Sequence, residues 1–516
     1  MQIEFKKEVV PLSEMQWSQS ETLLAEGDVI VPDIKPDIRE ILLAEARSVI
    51  TEHHISEGKL YVTGASDVHI LYVPETEERA PKNIETRFEF KETFDVGEGN
   101  FSDVNVCAST AHIEFSLINS RKLNMKVAVA ISARGYVKRN LSLLTDVTEE
   151  GVVQIKKKPI TAYQVVADTT RELVIADAIS VPTAKPDIDE IIKLNIKPVH
   201  GDCKIMSGKI LLKGTLAVNT LYCGDDAERR IEHMEHEIMF SEMADIAGLE
   251  EDCLCHVNYS IKKVHYSVSE DVNGEARVVS LDIVLSADII ASHLEDVQVI
   301  EDCYSTKGRT NPQCEELFVD ELLSEGVSHE SIKEVLSIPE GMPAAGAVYS
   351  LTCTPKIKEI QIVQDKMVIH GKLAAFVLYG CAETENPMYS LVGEFDFEHA
   401  IAVDGLDSDS RCECNVTEQS VSFTLNAASE IELRCILEFY TRAMRKTKVT
   451  LLTGCDVEEE SEDTQRRGMI IYFVQPGDSL WSIAKHYKTD QNKIMQLNKM
   501  DNTQIVSGQK LLIPGA

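Results

Sequence analysis

The strongest constraint on the fold of this 516-residue chain is that it repeats itself. An offset of 150 places Pro32, Lys35, Pro36, Asp37, Ile38, Glu40 and Ile41 on Pro182, Lys185, Pro186, Asp187, Ile188, Glu190 and Ile191. The same offset, with no gap, places Gly58, Lys59, Gly64, Leu71 and Tyr72 on Gly208, Lys209, Gly214, Leu221 and Tyr222. A further shift of 157 carries Pro182, Pro186, Lys209, Gly214, Leu221 and Tyr222 onto Pro339, Pro343, Lys366, Gly371, Leu378 and Tyr379. The third copy is the most diverged: it reads Met342-Pro343-Ala344-Ala345-Gly346 and lacks the charges that follow the second proline in the other two. A unit of this length is too long for one coil of a solenoid and suits a domain with its own core.

Each unit opens on a Pro-bounded segment that suits either the first turn of a short helix or an extended turn. Strand-like runs follow, Lys59 to Gly64 and Val68 to Val73, Ile210 to Leu216, and Met367 to Leu373, rich in branched and aromatic residues that partly alternate. The glycine inside each first run predicts a bulge or a close backbone approach. Later strands are expected near Lys126 to Ala133, Ala276 to Leu285 and Glu430 to Tyr440. The fold class is therefore mainly β, with three tandem sandwich- or barrel-like domains over 1–155, 156–308 and 309–455. Exchange of strands between neighbours is the open alternative.

Composition narrows the partners. With 51 Lys+Arg against 85 Asp+Glu the net charge is −34, which speaks against nucleic acid and anionic lipid. No run of eighteen apolar residues predicts direct membrane insertion, and no apolar stretch follows the N-terminal lysines, so export by the usual signal is not expected. Thirteen cysteines without C-x-x-C pairs fit reduced thiols. His53-His54 and His233 with His236 lack a second ligand pair, and Cys253 with Cys255 and Cys412 with Cys414 suit core burial as well as a site, so no metal and no cofactor is expected. Asp37 and Glu40 recur in two copies only and read as solvated or capping, and no catalytic motif appears, so no enzyme is expected.

After a charged tether over 456–468, the last segment, 469–516, changes character. From 470 onward it carries five lysines against three aspartates. Ile471 to Val474 reads as a strand, Gln475-Pro476-Gly477-Asp478 as a turn, and Leu480, Ile483, Ala484 and Tyr487 as a helix that Asp478 or Ser479 can cap. Ile494 and Leu497 mark a second helix starting near Thr489-Asp490 and ending at Asn498, whose amide suits turn backbone, and Val506 to Pro514 a closing strand. This βααβ order, with Tyr472-Phe-Val-Gln-Pro-Gly-Asp-Ser-Leu-Trp-Ser-Ile-Ala-Lys and Ser507-Gly-Gln-Lys-Leu-Leu-Ile-Pro, resembles the LysM family. Lys488 departs from it, standing where many members have glycine. The resemblance implies a shallow groove at Pro476, Gly477, Asp478, Ser479 and the stretch Gln504, Ile505, Val506. Trp481, with Lys485 and Lys488 on its edge, reads as an aromatic anchor with a basic rim or as a cover for the small core. A single shallow glycan site is weak, so a protein ligand is favoured over N-acetylglucosamine polymers.

The three repeats are similar to the SPOCS domain, and the order of parts resembles spore-coat morphogenetic proteins of clostridial spore formers. That resemblance implies a non-enzymatic assembly factor of the mother-cell cytoplasm recruited to the forespore surface. Its LysM module would bind the coat's basal-layer ATPase SpoIVA, with further coat proteins as possible partners of the β-domains. The competing reading is a cell-wall protein that binds peptidoglycan.

Overall fold

The computed structural model describes all residues except 1–3, 77–79, 98, 100, 102, 149–152, 227–228, 382–387, 428–429, 460–467 and 515–516. In the first repeat the strands are β1 (Phe5–Ile30), β2 (Ile38–Ser56), β3 (Lys59–Pro74), β4 (Lys82–Asp95), β5 (Asp103–Asn119) and β6 (Lys122–Val147). The second repeats this with β7 (Val153–Ser180), β8 (Ile188–Met206), β9 (Lys209–Gly224), β10 (Ile231–Asp245), β11 (Leu254–Glu270) and β12 (Ala276–Ser305). The third has β13 (Gly308–Ser337), β14 (Ala347–Ile362), β15 (Lys366–Gly380), β16 (Tyr389–Ala402), β17 (Arg411–Ala427) and β18 (Glu430–Glu459). Each repeat folds as two antiparallel three-stranded sheets, ordered β2-β3-β4 and β1-β6-β5 in the first, with the same order in the other two. Among the described residues every sheet is built from one repeat's own strands, so the copies are separate sandwiches and no strand is exchanged.

Strict alternation makes these sandwiches. Along β6, Leu123, Met125, Val127, Val129, Ile131 and Ala133 are all buried, and they meet Leu60, Val62, Val68 and Ile70 of β3 across the core. Each such side chain contributes roughly 1.5–3 kcal/mol on leaving water. The second and third cores are built alike, around Val279 to Ala291 and Ile431 to Ala443.

The repeated residues now acquire reasons. Gly64, Gly214 and Gly371 pair with Phe90, Phe240 and Phe397 on the neighbouring strand. Each phenyl ring lies over its glycine, and a Cβ there would come within 2.2 Å, 2.8 Å and 2.2 Å of it. The bulge sits across the sheet, in β2, β8 and β14, opposite the same glycines. The tyrosines Tyr72 and Tyr222 are buried and donate to the carbonyls of Pro36 and Pro186 at 2.9 Å and 3.1 Å.

The Pro-bounded segment is the extended turn, not a helix. Arg121 donates to Asp37 at 2.6 Å and to the Val31 and Pro32 carbonyls at 3.1 Å, while Ser120 adds a bond to Asp37 at 2.7 Å. Arg277 holds Asp187 and the carbonyls of Pro182 and Lys185 in the same way. Asp37 is thus a clamp residue; the Ser120 and Arg121 bonds lower its pKa. The expected acidic tether begins later than its composition suggests, because Asp456 to Glu459 pair with Asn311 to Gly308 and extend β18. The remainder up to Arg467 lies outside the described residues. The second repeat likewise begins on Val153, slightly before the expected boundary at 155.

The three sandwiches interlock at equivalent positions. Leu71, Leu221 and Leu378 share one apolar cluster. Where β1/β6, β7/β12 and β13/β18 run on past the sandwiches as ribbons, Leu143, Val299 and Leu451 share a second, and Leu144, Ile300 and Leu452 a third. Polar contacts seal the joints. Asp168 of the second repeat, 2 % exposed, accepts from Tyr136 of the first at 2.7 Å and lies 3.5 Å from Arg134. Arg442 of the third is 1 % exposed, pairs with Glu413 and donates to Tyr163 of the second at 2.7 Å. His256 and Tyr440 stack across the same boundary with centroids 3.6 Å apart.

Candidate partner-binding surface

The C-terminal module folds as β19 (Met469–Phe473), α1 (Leu480–His486), α2 (Gln491–Asn498) and β20 (Lys510–Pro514), with β19 and β20 antiparallel. Ser479, rather than Asp478, caps α1: its hydroxyl accepts from Ser482 N–H at 3.0 Å, and the Ser482 hydroxyl accepts from Ser479 N–H at 3.0 Å. Asp478 instead closes the preceding turn, accepting from Gln475 N–H and the Tyr472 hydroxyl, each at 2.7 Å. Those two bonds lower its pKa, the Gln475 contribution being the larger. Asn498 ties α2 to β20, donating to Ile494 and Leu512 carbonyls and accepting from Leu512 N–H at 2.7 Å. Lys488 takes φ +51°, the left-handed geometry that favours glycine, so the loop keeps its shape with a lysine in it.

The groove residues fall together. Val474 N–H donates to Gln509 and Gly508 N–H donates to Val474, joining the 475–478 turn to the 504–508 loop. Pro476, Gly477, Gln504 and Val506 are exposed there, Val506 at 69 %, while Ile505 is half-buried against the module's core. One carboxylate oxygen of Asp478 and the Ser479 hydroxyl already serve the fold, and the exposed Pro476, Gly477 and Val506 add backbone and apolar surface to the groove.

Trp481 and Lys485 are placed elsewhere. The Trp481 indole N–H donates to Asp302 at 2.8 Å, and Lys485 reaches both oxygens of the same carboxylate at 2.7 Å. Asp302 belongs to β12. Two residues on, Tyr304 is 2 % exposed, meets the Trp481 ring edge-on at 4.8 Å and donates to the Thr489 carbonyl at 2.7 Å. The expected exposed anchor is therefore half-buried against the second repeat. It covers apolar surface, as the alternative reading had it, but the surface includes a tyrosine from another domain. Asp302 and Tyr304 were not singled out from sequence. The signal available was the repeat itself, because the corresponding positions are Asp146 and Thr148 in the first copy and Gly454 and Asp456 in the third.

The module also presents a strip that alternation alone could have located. Ile470 and Tyr472 pack inward, leaving Met469, Ile471 and Phe473 outward at 67 %, 54 % and 57 % exposure.

The thiol clusters read differently from their spacing. Cys253 lies in the loop before β11, and with Asp252 and His293 it forms a group whose donor atoms lie within 4.8 Å of one another. Asp252 is 70 % exposed and pairs with His293 at 3.5 Å. The Cys253 sulfur accepts from Glu250 N–H, and burial raises its pKa, which opposes the thiolate a metal needs. Cys412 and Cys414 lie on β17 against the third core.

Comparison with known proteins decides the class. The family described as SipL, SPOCS domain, matches residues 37–118, 187–269 and 345–426, and the LysM domain family matches 472–514. The chain is three SPOCS repeats closed by a LysM domain. Both are binding or structural domains, and the comparisons identify no catalytic domain. The curated relatives share only a LysM-sized piece. "Putative sporulation-specific glycosylase YdhD" of Bacillus subtilis is 50 % identical over 46 residues, 9 % of this chain and 11 % of that protein. N-acetylmuramoyl-L-alanine amidase sle1 of Staphylococcus epidermidis is 47 % identical over 55 residues, 11 % of this chain and 17 % of that protein. The uncharacterised YkzQ of B. subtilis is 40 % identical over 43 residues, 8 % and 57 % respectively. The chain thus spans less than two thirds of the length of each of these relatives. No solved structure matches. Among the described residues no helix is long and apolar enough to cross a membrane.

Proposed function

We propose that this SPOCS-repeat chain is a spore-coat assembly factor that works without catalysis, the interlocked sandwiches forming a scaffold and the LysM domain recognising a protein of the coat. The observation that carries the reading is the union of three SPOCS repeats with a single LysM domain in one chain. The finer form of the proposal is that the partner is the basal-layer ATPase SpoIVA, met in the mother-cell cytoplasm at the forespore surface. The LysM domain has two surfaces suited to a protein, the groove of Pro476 to Ser479 with Gln504 to Val506 and the apolar strip of Met469, Ile471 and Phe473. Hydrophobic strips rimmed by polar residues are typical of protein interfaces.

Deletion of 469–516 tests this. Co-purification with the ATPase should be lost while the β-sheet signal of the repeats persists; undiminished co-purification rejects the proposal. A second reading is supported by the names of two relatives, a glycosylase and an amidase, and holds that the LysM domain binds cell-wall glycan. Sedimentation of the full chain with purified peptidoglycan separates the two.

A further inference from the structure

Among the described residues, the second repeat alone ends its long ribbon on a side-chain pair that grips the LysM domain. At the tip of β12, Asp302 and Tyr304 flank Cys303, which is buried among residues from all three repeats. Asp302 takes one hydrogen bond from Trp481 and two from Lys485. Tyr304 joins the hydrophobic core of the LysM domain, beside Leu480, Ile483 and Ile513, and bonds the loop that links the two helices. The corresponding residues of the first repeat are occupied otherwise: Asp146 pairs with Lys157 at 3.3 Å, and Thr148 donates to Glu4. Charge-assisted bonds of this kind are among the stronger polar contacts. They engage the aromatic–basic edge that a partner of the LysM domain would otherwise find open.

We propose that the tip of β12 is an internal receptor for the LysM domain: Asp302 and Tyr304 hold the Trp481–Lys485 edge within the same chain, and a coat partner that uses this edge must displace them. An acidic residue beside an aromatic one is the chemistry the tip offers. The external ligand that competes best carries the same pair. The competition part of the proposal rests on the protein-binding reading above; the docking itself does not.

The chain has two tryptophans, which makes the test direct. Full-length protein labelled with 5-fluorotryptophan gives two fluorine resonances, assigned with Trp17→Phe. Trp17 packs on Phe94 and Phe101 in the first repeat and reports whether that repeat stays folded. In Asp302→Asn and Tyr304→Ala, the Trp481 resonance should move toward its solvent-exposed position and sharpen while Trp17 stays. Small-angle scattering should show a larger particle. An unmoved Trp481 resonance in both variants overturns the receptor. A wild-type resonance that shifts on dilution means the edge is held by a second copy, which overturns docking within one chain. For the coat ATPase, a latch closed nine-tenths of the time cuts apparent affinity about tenfold. Asp302→Asn should restore it, and a released resonance with unchanged affinity overturns the competition. If neither protein binds the ATPase at all, the protein-binding reading fails, and the fluorine spectra still decide the docking.

Discussion

The three glycines under phenyl rings permit a graded test of how the repeats pack. Replacing Gly64 by Ala puts a Cβ 2.2 Å from the Phe90 ring and 2.6 Å from the Val49 carbonyl oxygen. Gly371→Ala meets Phe397 at 2.2 Å and the Lys356 carbonyl at 2.6 Å, whereas Gly214→Ala meets Phe240 at 2.8 Å and the Cα of Gly201 at 3.1 Å. A ring can tilt; a strand carbonyl cannot move without disturbing its ladder. Overpacking a core costs about 1–3 kcal/mol. The alanine regains about 0.4–1 kcal/mol by restricting the unfolded chain. The difference spans about 0–2.6 kcal/mol, and the net loss should fall in its upper half at Gly64 and Gly371, where a carbonyl oxygen is met, and in its lower half at Gly214. Because the repeats share apolar clusters, one global midpoint would mix them. Hydrogen exchange in urea, read on peptides from each repeat, resolves each loss. Adding Phe90→Leu to Gly64→Ala should recover only the ring's share, a coupling of about 0.5–1 kcal/mol. Equal losses at all three glycines, or a neutral Gly64→Ala, would refute the argument.

The repeated tyrosines offer a second comparison. Tyr72→Phe and Tyr222→Phe each lose a bond to a proline carbonyl and should cost about 0.5–1.5 kcal/mol, while Tyr379→Phe should be neutral or stabilising, because that hydroxyl is buried with no partner among the described residues. The measurement is the same exchange experiment. Burial lowers the His256 pKa to about 4. The unfolded chain therefore takes up a proton below about pH 6.5 that the folded one refuses, so stability is full above that value and falls as pH drops toward 4, by an amount on the order of 3 kcal/mol. Opening of the boundary between the second and third repeats should follow this window, and His256→Phe should flatten it. In the second repeat, Arg277→Ser should destabilise more than Arg277→Ser combined with Asp187→Ala; strict additivity of the two single losses in urea melts would count against the clamp.

The sequence pattern carried most of the fold and only part of the surface. Offsets alone located Gly64, Leu71 and Tyr72 with their counterparts, and each proved to have a packing task, since internal repetition records what every copy must bury. The second and third cores follow from alternation along Ala276 to Leu285 and Glu430 to Tyr440. The Pro-bounded segment stayed ambiguous because its conformation is decided by Arg121 and Arg277, which stand some eighty to ninety residues away in sequence and have no local signature. Likewise Trp481 could be recognised as important material, yet its neighbour could not be named: local periodicity places it on the helix edge, while Asp302 and Tyr304 arrive through the length of β12. Composition alone misplaces the start of the tether for a similar reason, acidic residues at Asp456 to Glu459 being held in register by β13.

The divergence of the third repeat is coherent once the clamp is understood. Removing one member of a charged pair strands the other, whereas removing both can leave stability nearly unchanged. The third copy has done the latter: the aspartate is replaced by Ala344, and the position corresponding to Arg277 is a serine, Ser429, by the same register that places Leu281 on Leu433. The tyrosine behind the clamp, Tyr379, remains fully buried, and its hydroxyl lacks a partner among the described residues, as expected of a side chain kept for its buried ring. Freed of identical duties, the copies could specialise at their ribbon ends. The axial position reads Val147, Cys303 and Cys455, and only beside Cys303 does an acidic residue accompany a tyrosine. Among the described residues, a scaffold of three similar sandwiches thereby offers one such acidic–aromatic tip, rather than three, for a single LysM domain to rest on.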